Sequence, residues 1–287
     1  EEYKYYLIDD KEQTMNSGFI QDEINLDPFI VTLGARVDHY DRWGTNFYPK
    51  AGLVYRTSDS LKFKGSIGKA FKAPNFGELY YNEFFMDGRS WIRGNPDLDP
   101  EEALGYQIGA EYRYNNLLMQ CSLFRNDLKD MIKIYTIQEN YKMGKPLWSY
   151  HNIEKAHTQG VEFNMIIDFT EKLKGKLGYT FVNSEDENTG KDLTYTPEHD
   201  VIVELNCKES KWLPHINLKG EYVGERYQNS ENTKELGGYF LAHVKFSKTF
   251  FKRYNAFLSI DNIFDKKYDE ESEMPGTEFL GGLSVNF

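Results

Sequence analysis

Five side chains stand out for the chemistry they could do: Tyr80, Tyr81, Arg89, Trp91 and Arg93. They fall within FKAPNFGELYYNEFFMDGRSWIRGNPDLDPE, residues 71–101, the longest insertion between two strand-like segments. A guanidinium presents a planar fork of donors to an anionic group, and aromatic faces stack on flat or cationic ones. This set suits an anionic ligand with flat faces. Tyrosine can also ligate haem iron, so both ligand classes stay open here. Insertions of this length without secondary structure are usually functional or disordered. The aromatic content argues for an ordered binding loop. Phe71, Pro74, Asn95 and Pro96 at its margins have a plainer reading, in which they fix the ends of the loop and touch no ligand.

Covalent chemistry has no such foothold. His39, His151, His157, His199, His215 and His243 lie mostly at strand ends or in loops, with no motif around them. No GxSxG elbow is present, so we expect no enzyme. His151 and His157 lack a carboxylate or thiol at a metal-site spacing, and we expect neither metal site nor cofactor. The acidic tips Ser184–Asp192 and Asp269–Glu273 read as solvated loops, with a bound divalent cation as the sharper alternative. Cys121 and Cys207 both fall on apolar registers and read as two buried or lipid-facing thiols, with a disulfide in an oxidising compartment as the alternative.

The elements that must position the loop show a period of two. Phe29, Val31, Leu33, Ala35 and Val37 alternate with Thr32, Gly34, Arg36 and Asp38. Tyr106, Ile108, Ala110 and Tyr112 alternate with Gln107, Gly109, Glu111 and Arg113, and Val161, Phe163, Met165 and Ile167 with Glu162, Asn164 and Asp168. That is strand periodicity. It recurs in about thirteen segments, many of about ten residues, the length with which a tilted strand crosses a bilayer. Short connections (Leu26–Pro28, Thr57–Leu61, Asn115-Asn116, Thr170–Lys172, Lys208–Pro214, Phe250–Arg253) alternate with longer ones (Asp41–Asn46, Phe71–Glu102, Thr136–Trp148, Ser184–Thr196, Glu225–Gly237, Asp265–Gly276). Sorting of loops by parity is what an outer-membrane barrel does, with short periplasmic turns and longer extracellular loops. Lys, Arg, Asp and Glu are almost missing from the middle of the apolar registers. The opposite registers carry Arg36, Asp38, Glu111, Glu162, Lys219 and Glu221, which would line a hydrated lumen.

Composition is compatible with this. The 287 residues carry a net charge of −11, with 16% aromatics. Mean hydropathy is −0.66, which cannot separate a soluble protein from a barrel whose strands face lipid on one side only. The acidic balance excludes the basic footprint of a nucleic-acid binder. The first residues, Glu1–Tyr6, already look like strand, so we expect a start set by processing or truncation.

From residue 68 onward the sequence resembles the C-terminal part of a TonB-dependent outer-membrane receptor. The resemblance rests on GKAFKAP (68–74), Glu78-Leu79-Tyr80, GNPDLDPE (94–101), FRNDLKDMI (124–132), NIFDKKY (262–268) and the terminal Phe287. Its boxes hold Phe71, Ala73 and Pro74 on one side of the loop and Asn95, Pro96 and Leu98 on the other. The family implies an all-β fold: a transmembrane antiparallel β-barrel in the bacterial outer membrane, of which this chain is the C-terminal portion, about thirteen of twenty-two strands. The plug domain, its energy-coupling segment and the first strands are then expected elsewhere, in the same polypeptide or in a separate chain. Phe287 resembles the signal read by the barrel-assembly machinery.

The implied function is uptake of a scarce nutrient (a ferric siderophore, haem or cobalamin) by energised transport. The implied partners are the N-terminal plug with the remaining barrel strands, the TonB-ExbB-ExbD complex acting through that plug, a small-molecule metal chelate and outer-membrane lipid. Haem-importing relatives carry a ligating histidine between the boxes, whereas this chain has none between Pro74 and Gly94. A passive porin-like channel is the competing reading.

Overall fold

The computed structural model describes residues 11–86, 88–268 and 276–285. The expectations placed on Glu1–Tyr6, Asp269–Glu273 and Phe287 lie outside the described residues. In chain order the elements are β1 (Met15–Leu26), β2 (Phe29–Tyr40), β3 (Gly44–Arg56), β4 (Leu61–Lys72), α1 (Phe76–Tyr80), β5 (Phe84–Met86), β6 (Ser90–Ile92), β7 (Glu101–Tyr114), β8 (Leu117–Gln138) and β9 (Leu147–Asp168). They continue with β10 (Leu173–Asp186), β11 (His199–Cys207), β12 (His215–Val223), β13 (Arg226–Tyr227), β14 (Glu235–Leu236), β15 (Tyr239–Phe250), β16 (Tyr254–Asp261) and β17 (Glu278–Val285).

The long strands form one antiparallel meander in the order β1-β2-β3-β4-β7-β8-β9-β10-β11-β12-β15-β16-β17. The period-two registers become two faces, because directly paired residues point the same way. One row runs Leu26–Phe29–Tyr55–Phe63–Ala110–Cys121–Phe163–Tyr179–Val201–Tyr222–Phe240 across successive strands, without a charge. On this face Ile108 is 63% exposed and Leu123 50% exposed, so protein does not cover it. A one-sided apolar wall of this kind is a lipid-facing wall. Both cysteines are free. The other face carries the row Arg56–Lys62–Glu111–Gln120–Asn164. There Glu111 accepts from Lys64 at 2.6 Å, Lys62 at 3.3 Å and Gln120 at 3.0 Å.

Turn chemistry fixes the short connections. Ser58 Oγ accepts from the N–H groups of Ser60 and Leu61 at 3.3 and 3.1 Å, and Thr170 Oγ1 from those of Lys172 and Leu173 at 3.2 and 3.0 Å. Asn115 takes the left-handed conformation, φ 48°, that asparagine tolerates.

The structure corrects some loop boundaries. Asp41–Asn46 is not a long loop: Tyr40 pairs with Gly44, leaving a tight turn over residues 41–43. The Thr136–Trp148 loop shrinks because β8 and β9 each run for 22 residues. That is about twice what a tilted strand needs to cross a membrane. The β8–β9 hairpin therefore projects beyond the membrane on the long-loop, extracellular side. Residues 71–102, read as a loop, contain α1 and the β5–β6 hairpin, and 225–237 contain the β13–β14 ribbon.

Candidate functional site

The loop between β4 and β7 is built around a short helix. Asn75 caps α1 by accepting from the Glu78 N–H at 2.9 Å, while the Glu78 carboxylate accepts from the Asn75 N–H at 2.8 Å. This reciprocal pair satisfies two donors that a helix start leaves open. Pro74, just before the cap, is fully buried.

The second box folds back onto the first. Gly94 N–H donates to Tyr81 O at 2.9 Å and Asn95 N–H to Glu78 O at 2.8 Å. Asn95 Nδ2 donates to Tyr150 O at 2.8 Å, and its Oδ1 accepts from the Asp97 N–H at 3.0 Å. Asn152 exchanges two 2.9 Å bonds with the Asp99 backbone. Leu79 and Leu98, each 2% exposed, pack with Ile132 of β8, beside Tyr80 and Tyr150. Phe71 rests against Tyr40 and Tyr48 at ring distances of 5.4 and 5.6 Å. Lys72 pairs with Glu101 at 3.1 Å, and Glu101 also accepts from the Ile132 N–H at 2.9 Å. Ala73 is partly buried. Asn95, Leu98, Asp99 and Glu101 thus fasten the closing end of the loop to the projecting hairpin, and Phe71 packs its opening end against β2 and β3. The other face of that hairpin is covered from the opposite side, where Ile153 packs with Leu193 of the β10–β11 loop.

The outer half of the loop is tied down differently. Strand β6 runs parallel to the start of β9, with Trp91 paired to Leu147. Trp91 N–H donates to Pro146 O at 2.8 Å, and Ser149 Oγ donates to Arg93 O at 3.1 Å. The Trp91 indole N–H reaches Lys142 O at 3.2 Å, and the Lys142 ammonium sits 4.9 Å over the indole ring. Glu83 accepts from Tyr141 Oη at 2.8 Å and also from Lys142. Burial works against the charged form of Glu83, but the bonds from Lys142 and Tyr141 outweigh it and hold the carboxyl below its ordinary range. Lys142 is raised by the same bond to Glu83.

The five binding candidates do not share one pocket. Tyr80 Oη accepts from Arg42 Nη1 at 2.6 Å, and Arg42 also donates to Pro96 O while lying over Trp43 and Tyr80. Tyr81 meets Phe84 edge-on at 5.2 Å. Trp91 joins the Lys142 cluster. Arg89, in the turn after Gly88, and Arg93, just past β6, are exposed. Their guanidinium groups make no hydrogen bond or ion pair among the described residues, although Arg93 lies close enough to Glu83 to lower its pKa.

Arg42, Glu83, Lys142 and Asn152 carry much of this geometry, and sequence reasoning missed them. Only the Asn75–Glu78 spacing was a signal available without the structure.

The family model described as TonB dependent receptor-like, beta-barrel matches residues 3–263. The chain belongs to the TonB-dependent receptor β-barrel family. It is therefore an outer-membrane barrel chain, of a family of receptors. It is 26% identical over 271 residues to the ferric enterobactin receptor PirA of Pseudomonas aeruginosa, covering 87% of this chain and 36% of that protein. An iron-regulated outer membrane virulence protein of Vibrio cholerae is 30% identical over 223 residues, 72% of this chain and 34% of its own. The vitamin B12 transporter BtuB of Photobacterium profundum is 25% identical, with 81% and 36% covered. Among solved structures, a ferric enterobactin receptor of Pseudomonas aeruginosa superposes with TM-score 0.75 at 23% identity, covering 96% of this chain and 45% of that one. The chain thus spans less than half the length of these relatives.

Proposed function

We propose that the chain forms part of the wall and outer mouth of a TonB-coupled importer whose cargo is an anionic ferric chelate of the siderophore class. The observation that carries this reading is the pair Arg89 and Arg93: two exposed guanidinium groups with no hydrogen bond or ion pair among the described residues, on a loop otherwise bonded into the wall. Free donors on a preorganised frame are the arrangement that gains most from an anionic ligand, because little ordering remains to oppose binding. In this reading Arg89 and Arg93 touch the chelate, while Tyr80, Tyr81 and Trp91 hold the loop in shape and offer ring edges beside it. The names of two matched relatives, a ferric enterobactin receptor and an iron-regulated protein, support ferric cargo over cobalamin. The absence of a histidine between the boxes weighs against haem.

No bond is made or broken in the cargo. Transport would use a plug within the complete barrel, coupled through TonB, ExbB and ExbD to the inner membrane. The test is the affinity of the complete protein for ferric catecholate and ferric hydroxamate chelates, with haem and cobalamin as controls. Arg89→Ala/Arg93→Ala should weaken the preferred ferric chelate about tenfold or more, since each charged hydrogen bond contributes roughly 1.5–3 kcal/mol. Unchanged affinity in a correctly assembled double variant would remove these arginines from the site.

A further inference from the structure

Two of the short turns carry a chemistry that the others lack. The β11–β12 turn reads Lys-Glu-Ser-Lys-Trp-Leu-Pro over residues 208–214, and the β15–β16 turn reads Phe-Lys-Arg over 251–253. The remaining short turns hold Asp27, Asp59, no charge at Asn115-Asn116, and the balanced pair Glu171 and Lys172. In a chain of net charge −11, these are the two short turns in which cations outnumber acids: Lys208 and Lys211 beside Glu209, and Lys252 with Arg253.

The two turns are joined. Lys248 of β15 donates to Ser210 O, to Lys211 O at 3.4 Å and to Leu213 O at 3.2 Å, and pairs with Glu209 at 3.4 Å. The Thr249 N–H also donates to Glu209 at 3.1 Å. Glu209 is the only acid in the two turns, and it is engaged inward. What faces outward is apolar and basic: Trp212 is 84% exposed and Phe251 91%, with Lys208, Lys211 and Lys252 exposed around them. Lys211 lies over the Trp212 ring at 5.2 Å, and Arg253 over Tyr254 at 5.8 Å.

This patch continues the lipid-facing wall. Phe246 pairs with Leu258 and Phe250 with Tyr254 on the same register of the same two strands. Phe246, Phe250 and Tyr254 thus carry the wall toward the turns, and Lys248, on the same register between Phe246 and Phe250, is engaged by the 208–214 turn. Indole and phenol rings settle at the headgroup level of a bilayer, and lysines beside them attract anionic headgroups. Short turns face the periplasm in such barrels, so the leaflet concerned is the inner leaflet of the outer membrane.

We propose that the joined turns form a binding site for an anionic glycerophospholipid. Its acyl chains lie along Phe246, Phe250 and Tyr254. Its phosphate lies among Lys208, Lys211 and Lys252, with Trp212 and Phe251 bracketing the glycerol region. A soluble acidic protein would satisfy the lysines but not the continuity with the apolar wall.

The test is a titration of the complete, delipidated protein in neutral detergent with phosphatidylglycerol or phosphatidylcholine of matched chains, read by native mass spectrometry. Phosphatidylglycerol should be retained at least about tenfold more tightly, given about fivefold per lysine near an anionic headgroup. Lys208→Gln/Lys211→Gln/Lys252→Gln should bring the two lipids to within about twofold. Trp212→Ala/Phe251→Ala should weaken both lipids alike and keep their ratio. Equal retention by the unmodified protein, or an unchanged ratio in the glutamine variant, overturns the proposal. The triple substitution spares Lys248 and Glu209, which join the turns, and heat-modifiable gel mobility verifies its assembly.

Discussion

Gly94 lies so close to Leu79 that a Cβ on the glycine would stand 2.6 Å from the Leu79 carbonyl carbon. The two residues are the meeting point of the loop's opening and closing boxes. Only a residue without a side chain lets Gly94 N–H reach Tyr81 O and Asn95 N–H reach Glu78 O at the same time. The base of the loop is therefore a clasp, and the clasp sets the position of everything beyond it.

Gly94→Ala should open this clasp. The neighbouring atoms are backbone and cannot swing aside, so overpacking should cost about 1–3 kcal/mol locally. The expected result is faster proteolysis within residues 82–93 with an unchanged barrel, seen by limited digestion and intact mass. An unaltered cleavage rate would mean that α1 shifts freely.

Leu98→Ala should loosen the same contact from its apolar side. Leu98 is 2% exposed against Leu79 and Ile132, and truncating such a leucine costs about 2–4 kcal/mol. Hydrogen exchange should rise in α1 and in the outer part of β8 together, because the cluster spans both. A rise confined to α1 would contradict the packing.

Asn75→Ala removes one half of the capping box and should cost about 1 kcal/mol of loop stability. Asn75→Asp should retain most of it, since aspartate also accepts from the Glu78 N–H. Exchange rates at residues 76–80 distinguish the two variants.

The strands were legible in the sequence, and the clasp only partly so. Alternation such as Val31–Leu33–Ala35 against Thr32–Gly34–Arg36 is forced by a wall with lipid on one side and water on the other, so a single sequence displays it. The Asn75–Glu78 cap is local and could be seen at three-residue spacing. The contact of Arg42 with Tyr80 joins residues 38 apart in sequence, and no periodicity reports it. Asp41–Trp43 reads like a loop by composition, but pairing of Tyr40 with Gly44 makes it a turn. Strands β5 and β6 are three residues each, too short to show any period. Trp91 stood out as a ligand-facing ring, and the structure gives its indole N–H a partner in Lys142 O.

A pH dependence follows from Glu83. Its carboxyl is held below its ordinary range, so the folded loop favours the charged form. The sign is that of a depressed acid: the contribution is present above the ordinary carboxylate pKa, about 4.3, and is lost as pH falls through the lower folded value. The contact of residues 141–142 with β5 and β6 should therefore hold at neutral pH and release in acid. Glu83→Gln should release it at neutral pH as well. Trp91 fluorescence in a variant lacking the other tryptophans would follow the release, and a flat signal from pH 7 to 3 would contradict it.

Uptake of iron-59 as its siderophore complex tests the proposed energised import of a ferric chelate most directly. Iron-starved cells whose only receptor is the complete protein should accumulate label, and a protonophore or loss of TonB should abolish uptake while leaving surface binding intact. Uptake that continues unchanged in de-energised cells would contradict the account and make the barrel a passive channel.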